Sequence, residues 1–350
     1  MSARTAAALD TVLGRVADTH EQVGDRFPLY ADSRSGEWVS TARGAWTGGF
    51  WAGLLWLRAL RSGSEIDRAT AAEVSSRLAS WVAADTSTRG LIFWYATALA
   101  AGRGADAAAA ELRDAAARAC AADFDHELGV LPWGSAFGGP RLLARMDGVA
   151  GLLPLLAASK APSGLAAARR HIDTHLARWR AEPMGTPAWE WTNSSWVPCP
   201  QPRPGWSRGR AWLLLGLADA TWHVDPDYRY VAEELIDYES PLIPAAETVR
   251  SAPPDTSAAA IEAVALLKLA AVQRDSYSTA RLRSRATDMI ENLVTIHLSD
   301  VTSARPAGML LDGCYDLDRG SATEHELVWG DYFLALALAI HIGLVGPFDT

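Results

Sequence analysis

Runs of basic residues are missing from this chain. Lysine occurs at Lys160 and Lys268, isolated from each other, and the net charge is −9 with a pI near 5.4. Tracking phosphates takes clustered Lys and Arg, so nucleic acid is excluded as the expected partner. Cysteine is sparse as well. Cys120, Cys199 and Cys314 show neither a CxxC nor a Cys/His ligand spacing, which excludes a disulfide framework and a zinc site. Among eight histidines, His171 and His175 have the i,i+4 spacing of a helical metal pair, but no glutamate follows His171. A charged helix face is the expected reading of that pair, with no metal and no cofactor. No stretch approaches 18 uncharged apolar residues, so no membrane span is expected. Arg4, Asp10 and Arg15 interrupt the apolar stretch from Met1 to Val16, unlike a signal peptide. The expectation is a soluble cytoplasmic protein, its oligomeric state open.

Alternating apolar and polar residues are scarce too. No strand of useful length stands out; Val130–Trp133 and Met309–Leu311 read as short strands or extended loops. Helical spacing is nearly everywhere else. The expected helices are 5–22, 48–62, 67–84, 90–103, 107–122, 146–160, 162–180, 207–223, 227–239, 256–274, 278–298 and 324–343. In 256–274 the residues Ile261, Val264, Leu266, Leu267 and Leu269 form a broad apolar face, and Asp255-Thr256-Ser257 is a capping cluster. Gly63, Gly102 and Gly343 sit where helix ends are expected. A dozen helices with short connections predict an all-α fold. As six hairpins they would close into a toroid with one face gathering the loops, a single domain over 1–350. The longest loop, Glu182–Gly205, holds Pro183, Pro187, Pro198, Pro200, Pro202 and Pro204 beside Trp189, Glu190, Trp191 and Trp196. A loop so rich in Trp reads as functional.

Tryptophan is what the chain has in quantity, with 15 residues, and it is clustered with glycine. The cassettes are Trp46-Thr47-Gly48-Gly49-Phe50-Trp51-Ala52-Gly53, Trp206-Ser207-Arg208-Gly209-Arg210-Ala211-Trp212 and Trp329-Gly330-Asp331-Tyr332-Phe333. Glycine costs a helix roughly 1 kcal/mol against alanine, so its place at helix starts implies a positional need. Trp offers a flat apolar face and one N–H donor, which suits a sugar ring or a wet cavity wall; it equally fills a core between helices.

Six motifs in order resemble the unsaturated glucuronyl hydrolases, glycoside hydrolase families 88 and 105. They are Trp46–Trp51, Gly129-Val130-Leu131-Pro132-Trp133-Gly134, Met146-Asp147-Gly148 ahead of Leu152–Leu156, Trp206–Gly209, Asp255–Ile261 and Trp329–Tyr332. The likeness spans about Phe27 to Leu338. It implies an (α/α)6 barrel with the site in the barrel mouth, and a substrate that is an oligosaccharide ending in a 4,5-unsaturated uronic acid. It also implies the chemistry. An aspartic acid protonates C4 of a vinyl ether, an oxocarbenium-like centre forms at C5, water adds there, and the hemiketal collapses to release the aglycone. Asp147 matches that acid/base, in an apolar setting of Leu142, Leu143, Met146, Val149, Leu152 and Leu153. Read by itself, Asp147 could instead cap the helix that follows.

The chain departs from the family at three places. A second aspartate, in a His-Asp-[Leu/Ile]-Gly-Phe pattern, is replaced within Ser87-Thr88-Arg89-Gly90-Leu91-Ile92-Phe93, where Thr88 stands in its position. Phe124-Asp125-His126-Glu127-Leu128-Gly129 looks like the missing motif but lies too far along, and reads as a solvated turn. A histidine of the long loop is missing from Gly185-Thr186-Pro187-Ala188-Trp189, and Trp-x-Arg-Gly-Gln has become Trp206-Ser207-Arg208-Gly209-Arg210. Arg89 and Arg210 are thus expected to make the cavity more positive. Glu190 is the candidate replacement carboxylate, or else an exposed loop residue. Arg208 with Trp212, and Trp206 with Arg210, share helix faces; one could bind a uronate carboxylate with Trp beneath the ring, the other form a cation–π stack. Asp331 reads as structural. The expected site is therefore Asp147 as acid/base with Trp46, Thr88, Arg89, Trp133, Trp189, Glu190, Trp206, Arg208, Arg210 and Trp212 around the substrate. The leading function is hydration of unsaturated uronyl saccharides. A barrel repurposed for another anionic or glycosylated small molecule, and a non-catalytic sugar-binding relative, stand beside it.

Overall fold

A computed structural model describes residues 2–159, 161–182, 184–248 and 250–350, so Lys160 and Pro183 lie outside the described residues. Twelve α-helices are found among them: α1 (Ser2–Val23), α2 (Gly48–Ser62), α3 (Glu65–Ser76), α4 (Tyr95–Gly102), α5 (Ala107–Ala122), α6 (Leu152–Ala158), α7 (Pro162–Arg180), α8 (Ser207–His223), α9 (Tyr228–Leu235), α10 (Thr256–Val272), α11 (Ser276–Asn292) and α12 (Val328–His341).

Composition sorts these helices into two rings. In α10 every residue from Thr256 to Leu266 is buried, and in α12 every residue from Val328 to Ala339. A helix apolar on all sides must be surrounded. By contrast α11 buries one stripe, Leu282, Arg285, Ala286, Met289 and Ile290, at three- and four-residue spacing. The even-numbered helices accordingly form the inner ring. α2 meets α4, α6 meets α8, α8 meets α10, α10 meets α12, and α12 returns to α2. The gap between α4 and α6 is bridged by the wide turn Gly90–Trp94 that leads into α4. The odd-numbered helices lie outside against their neighbours, α3 on α2, α5 on α4 and α6, α7 on α6, α11 on α10. This is the (α/α)6 barrel that the helix count predicts. One buried apolar cluster runs through it from Ala8 to Val345.

Two glycines show what the inner ring demands. A Cβ on Gly49 would lie 2.2 Å from the Leu91 carbonyl oxygen, and one on Gly90 would lie 2.4 Å from the Leu152 nitrogen. Any side chain there would push α2, the 90–94 turn and α6 apart.

Among the described residues the fold also holds six short strands that the sequence reading does not list. β1 (Phe27–Ala31) pairs antiparallel with β2 (Trp38–Thr41) and with β6 (Glu326–Leu327). β3 (Leu143–Arg145), β4 (Ala188–Thr192) and β5 (Ser195–Pro198) form a second antiparallel sheet. At two to five residues each, these are too short for alternation to emerge against helical neighbours. Part of the expected 146–160 helix is therefore something else. Extended β3 and a tight turn at Met146–Gly148 precede α6, which starts only after Gly151. The expected 67–84, 90–103 and 278–298 segments likewise contain turns of changed pitch at 77–81, 90–94 and 293–297.

Candidate active site

The inner helices run parallel, and a cavity of about 720 Å³ opens at their N-terminal ends. Each contributes through its first turn or the segment before it: Trp46 ahead of α2, Thr88 and Leu91 ahead of α4, Asp147 ahead of α6, Trp206, Arg208 and Trp212 at α8, Glu247 ahead of α10, and Cys314–Arg319 ahead of α12. Helix N-termini carry partial positive charge, so six of them facing one space favour an anionic occupant.

Asp147 is half-buried in this wall, and it is not a helix cap. Gly151 occupies the cap position of α6. The Asp147 carboxylate instead accepts two hydrogen bonds from one guanidinium, Arg145 Nε to Oδ1 at 3.1 Å and Arg145 Nη2 to Oδ2 at 3.0 Å. Arg145 in turn stacks over the Trp133 ring at 4.4 Å. The Trp133 indole N–H donates to the Gly138 carbonyl, which fixes the ring at the cavity edge.

Strand register decides which members of the long loop reach the cavity. Leu143 pairs with Glu190 and Ala144 with Trp189. Side chains alternate along a strand, so Leu143, Arg145 and Glu190 face the cavity while Ala144 and Trp189 face away. Glu190 therefore lines the site and is not an exposed loop residue. Trp189 does not line it: its ring is buried with the Arg178 guanidinium 5.4 Å from its centroid.

Arg208 lines the cavity but its hydrogen bonds are committed to protein. It pairs with Asp255, and donates to the Cys314 carbonyl at 2.5 Å and the Tyr315 carbonyl at 2.7 Å. Its guanidinium lies between Trp206 at 5.0 Å and Trp329 at 5.6 Å. The cation–π contact thus joins Arg208 to Trp206; Trp206 precedes the helix, so the expected face shared with Arg210 does not form. Asp255 combines this pairing with its expected cap on Ser257 N–H.

Two of the expected cations are turned away. Arg89 is buried outside the cavity, donating to the Thr86 and Val82 carbonyls and pairing with Asp123 at 2.8 Å. Arg210 points outward between helices, donating to Glu262 at 2.6 Å and to the Leu235 carbonyl. The cavity's positive charge comes instead from Arg145, Arg208 and Arg319. Thr88 does line the wall, its hydroxyl 2.9 Å from that of Thr86.

The histidine pair is not a charged face. His171 and His175 are wholly buried beneath the Asp147 turn. Leu131 N–H donates to His171 Nδ1 at 3.1 Å, and the Gly148 carbonyl lies 3.3 Å from Nε2. His175 Nδ1 sits 2.8 Å from the His171 carbonyl. Burial drives the imidazolium form out of both, His175 down to about 4. Asp331 accepts from Leu310 N–H at 3.3 Å beside the buried Arg15–Glu326 pair, as a structural residue does. At the Phe124–Gly129 stretch, Asp125 accepts from the N–H groups of Glu127 and Leu128 in a tight turn.

Sequence reasoning missed Arg145, Glu247 and the Tyr315–Arg319 loop. Arg145 ends β3 and Asp147 lies in the tight turn that follows, so a segment read as helical from 146 gave no sign of their pairing. Tyr315 carried no signal either, although its hydroxyl is 3.4 Å from the Trp46 indole nitrogen and its ring 5.2 Å from that of Trp329. Cys199 and Cys314 also reach the wall. Burial holds both as thiols, with Cys314 pushed up to about 12. No group of side chains able to hold a metal ion is found among the described residues.

No family model matches the chain. It is similar to the unsaturated glucuronyl hydrolase of Bacillus sp. (strain GL1), with 26% identity covering 97% of each chain. Among solved structures it superposes on an unsaturated glucuronyl hydrolase specific for heparin, at a TM-score of 0.85 with 19% identity over 99% of both chains. It also superposes on a variant of the Streptococcus agalactiae enzyme complexed with dGlcA-GalNAc6S, at 0.75 with 15% identity over 97% of this chain and 91% of that one. The barrel is the fold of these enzymes.

Proposed function

We propose that this chain hydrates the vinyl ether of 4,5-unsaturated uronyl saccharides, with Asp147 as the general acid and base. The observation that carries this reading is the half-buried Asp147 carboxyl, paired with Arg145, inside an aromatic-walled cavity at the mouth of the barrel. The three unsaturated glucuronyl hydrolases that this chain resembles are matched over nearly their whole length. Trp46, Trp133 and Trp206 supply flat faces for sugar rings, while Trp212 is packed into the core against Phe50 and Phe333. In the reaction the Asp147 carboxyl gives its proton to C4, and positive charge collects on C5 and the ring oxygen. A water oxygen then bonds to C5 while its proton passes to the Asp147 carboxylate. The resulting hemiketal opens and frees the aglycone, leaving the enzyme as it began. Thr88 puts a hydroxyl where the family has its second aspartate, and Glu190 joins Glu247, Asp316 and Asp318 as the other carboxylates within the wall. The unpaired thiols suit a reducing compartment, and we place the activity in the cytoplasm.

The test is loss of the alkene's ultraviolet absorbance with a panel of unsaturated disaccharides. Wild type should consume at least one. Asp147→Asn should lower turnover by about 10²–10⁴. A second reading, an anionic-sugar-binding barrel without turnover, is favoured by one observation, that Arg145 occupies both oxygens of Asp147. Wild type inert on the whole panel yet binding it would establish that reading instead.

A further inference from the structure

A carboxyl that hands a proton to carbon needs an oxygen free to carry it. Arg145 donates to both oxygens of Asp147, so the carboxyl that must carry the proton is tied to a cation. The incoming uronic acid brings a carboxylate of its own, and the cavity wall is already rich in anions: Asp147, Glu190, Glu247, Asp316 and Asp318. Some cation must therefore be given up to it. Arg208 is not available, being almost wholly buried and held by Asp255 and two carbonyls. Arg319 stands at the rim, 84% exposed and loosely paired with Asp316 at 3.6 Å, where water screens it. Arg145 differs from both. Its side-chain bonds run to a single carboxylate that is itself cavity-facing, and the Trp133 ring holds its plane from one side. A guanidinium fork that fits one carboxylate fits another equally well.

We propose that Arg145 is the residue that recognises the substrate carboxylate, and that it does so by exchange: the uronate takes the place of Asp147 on the guanidinium and thereby releases Asp147 for chemistry. This rests on the uronyl-hydrolase reading for its substrate. Recognition and activation become one event. A neutral sugar cannot displace Asp147 and leaves both its oxygens engaged, so the cavity selects uronates twice, in binding and in turnover. Arg145 acts here as a binding and positioning residue; the proton stays with Asp147.

Calorimetric binding tests this without requiring turnover. The probes are the unsaturated disaccharide of glucuronic acid and N-acetylgalactosamine, and its C6 methyl ester. Asp147→Asn should bind the acid at least tenfold more tightly than the ester. In Asp147→Asn/Arg145→Gln that gap should vanish, and in Asp147→Asn/Arg145→Lys, which keeps the charge and loses the fork, it should be partly restored. A gap that persists without Arg145, or is absent from Asp147→Asn, overturns the assignment. The exchange is read separately with the saturated disaccharide, which no hydration consumes. Asp147→Asn, lacking the competing carboxylate, should bind it several-fold more tightly than wild type; equal, weaker or undetectable binding overturns the exchange. If these patterns hold while the alkene survives wild-type enzyme, the recognition stands and the hydrolase reading falls.

Discussion

Two acid–base pairs sit at opposite ends of the same ring of helices. Arg145 and Asp147 stand at the N-terminal ends, in the wall of the cavity. Lys268 and Asp219 stand near the C-terminal ends of α10 and α8, 2.6 Å apart, both wholly buried, with the Lys268 ammonium also donating to the Thr350 carbonyl. Burial raises the Asp219 pKa even though Lys268 opposes it. The chemistry of the two pairs is nearly the same; access separates them. A pair closed off from water and ligand can only hold helices in register. A pair of which each member keeps part of its surface on a cavity can trade partners. Ion pairing in itself therefore says little about function here, and the void beside the pair says much.

Four substitutions or conditions press on that contrast. The largest effect belongs to the open end. Asp147→Asn should cost about 10²–10⁴ in turnover while the melting temperature stays near wild type; a large fall in melting temperature would make Asp147 a structural residue like Asp219. At the closed end the signs reverse. Lys268→Met strands the Asp219 charge and should destabilise the fold by about 3–5 kcal/mol, read by urea unfolding, with kcat per folded molecule unchanged. If Lys268→Met/Asp219→Leu recovers most of that loss, the pair confers alignment more than net stability.

The histidines under the open end give an effect of pH. Their folded pKa values lie below the unfolded value of 6.5, because burial excludes the imidazolium. The unfolded chain thus binds more protons below that value. Their contribution is whole above pH 6.5 and is lost as the pH falls toward about 4. For His175 the shift corresponds to something on the order of 3 kcal/mol by the lower limit. Urea midpoints at pH 7 and pH 5 should show the fall, and His175→Gln should flatten it; an unchanged slope in that variant would assign the acid sensitivity elsewhere. The smallest expected effect is Trp133→Leu. Losing the ring beneath Arg145 removes a cation–π contact of about 1 kcal/mol, so KM should rise roughly fivefold with the fold intact. An unchanged KM would mean that Trp133 neither steadies Arg145 nor meets the sugar.

Much of the architecture was legible from local pattern. Helices apolar on every side announce an inner ring, and Gly49 and Gly90 stand where that ring is tightest. Two of the Trp cassettes bring Trp46 and Trp206 to the cavity, because the chain returns to one face after every hairpin, while Trp51 and Trp329 are buried in the core. Legibility ended at side-chain direction. Trp189 and Glu190 are adjacent in sequence, yet the β3–β4 register sends one to the core and the other to the cavity. Arg89 and Arg210 sit beside motif residues and still turn outward, since Asp123 and Glu262 await them there. His171 and His175 show the hazard of a polar spacing read without its surroundings.

Sequence alone determined the twelve-helix order, and the resemblance of its motifs to a known family singled out Asp147 as the residue to examine. The helix order follows from periodicity and composition over a few turns of chain, where each residue's neighbours are its own sequence neighbours. Tertiary structure alone decided that Glu190 enters the wall, that Trp189 leaves it, that Arg208 is locked in place by Asp255, and that Arg145 faces the cavity with Asp147 as its partner. Those choices depend on which groups distant in the chain arrive to satisfy each buried charge. Coulombic and hydrogen-bond partners fall off within a few ångströms, so only the closed barrel, by bringing 47 residues' separation to contact in the case of Arg208 and Asp255, settles them.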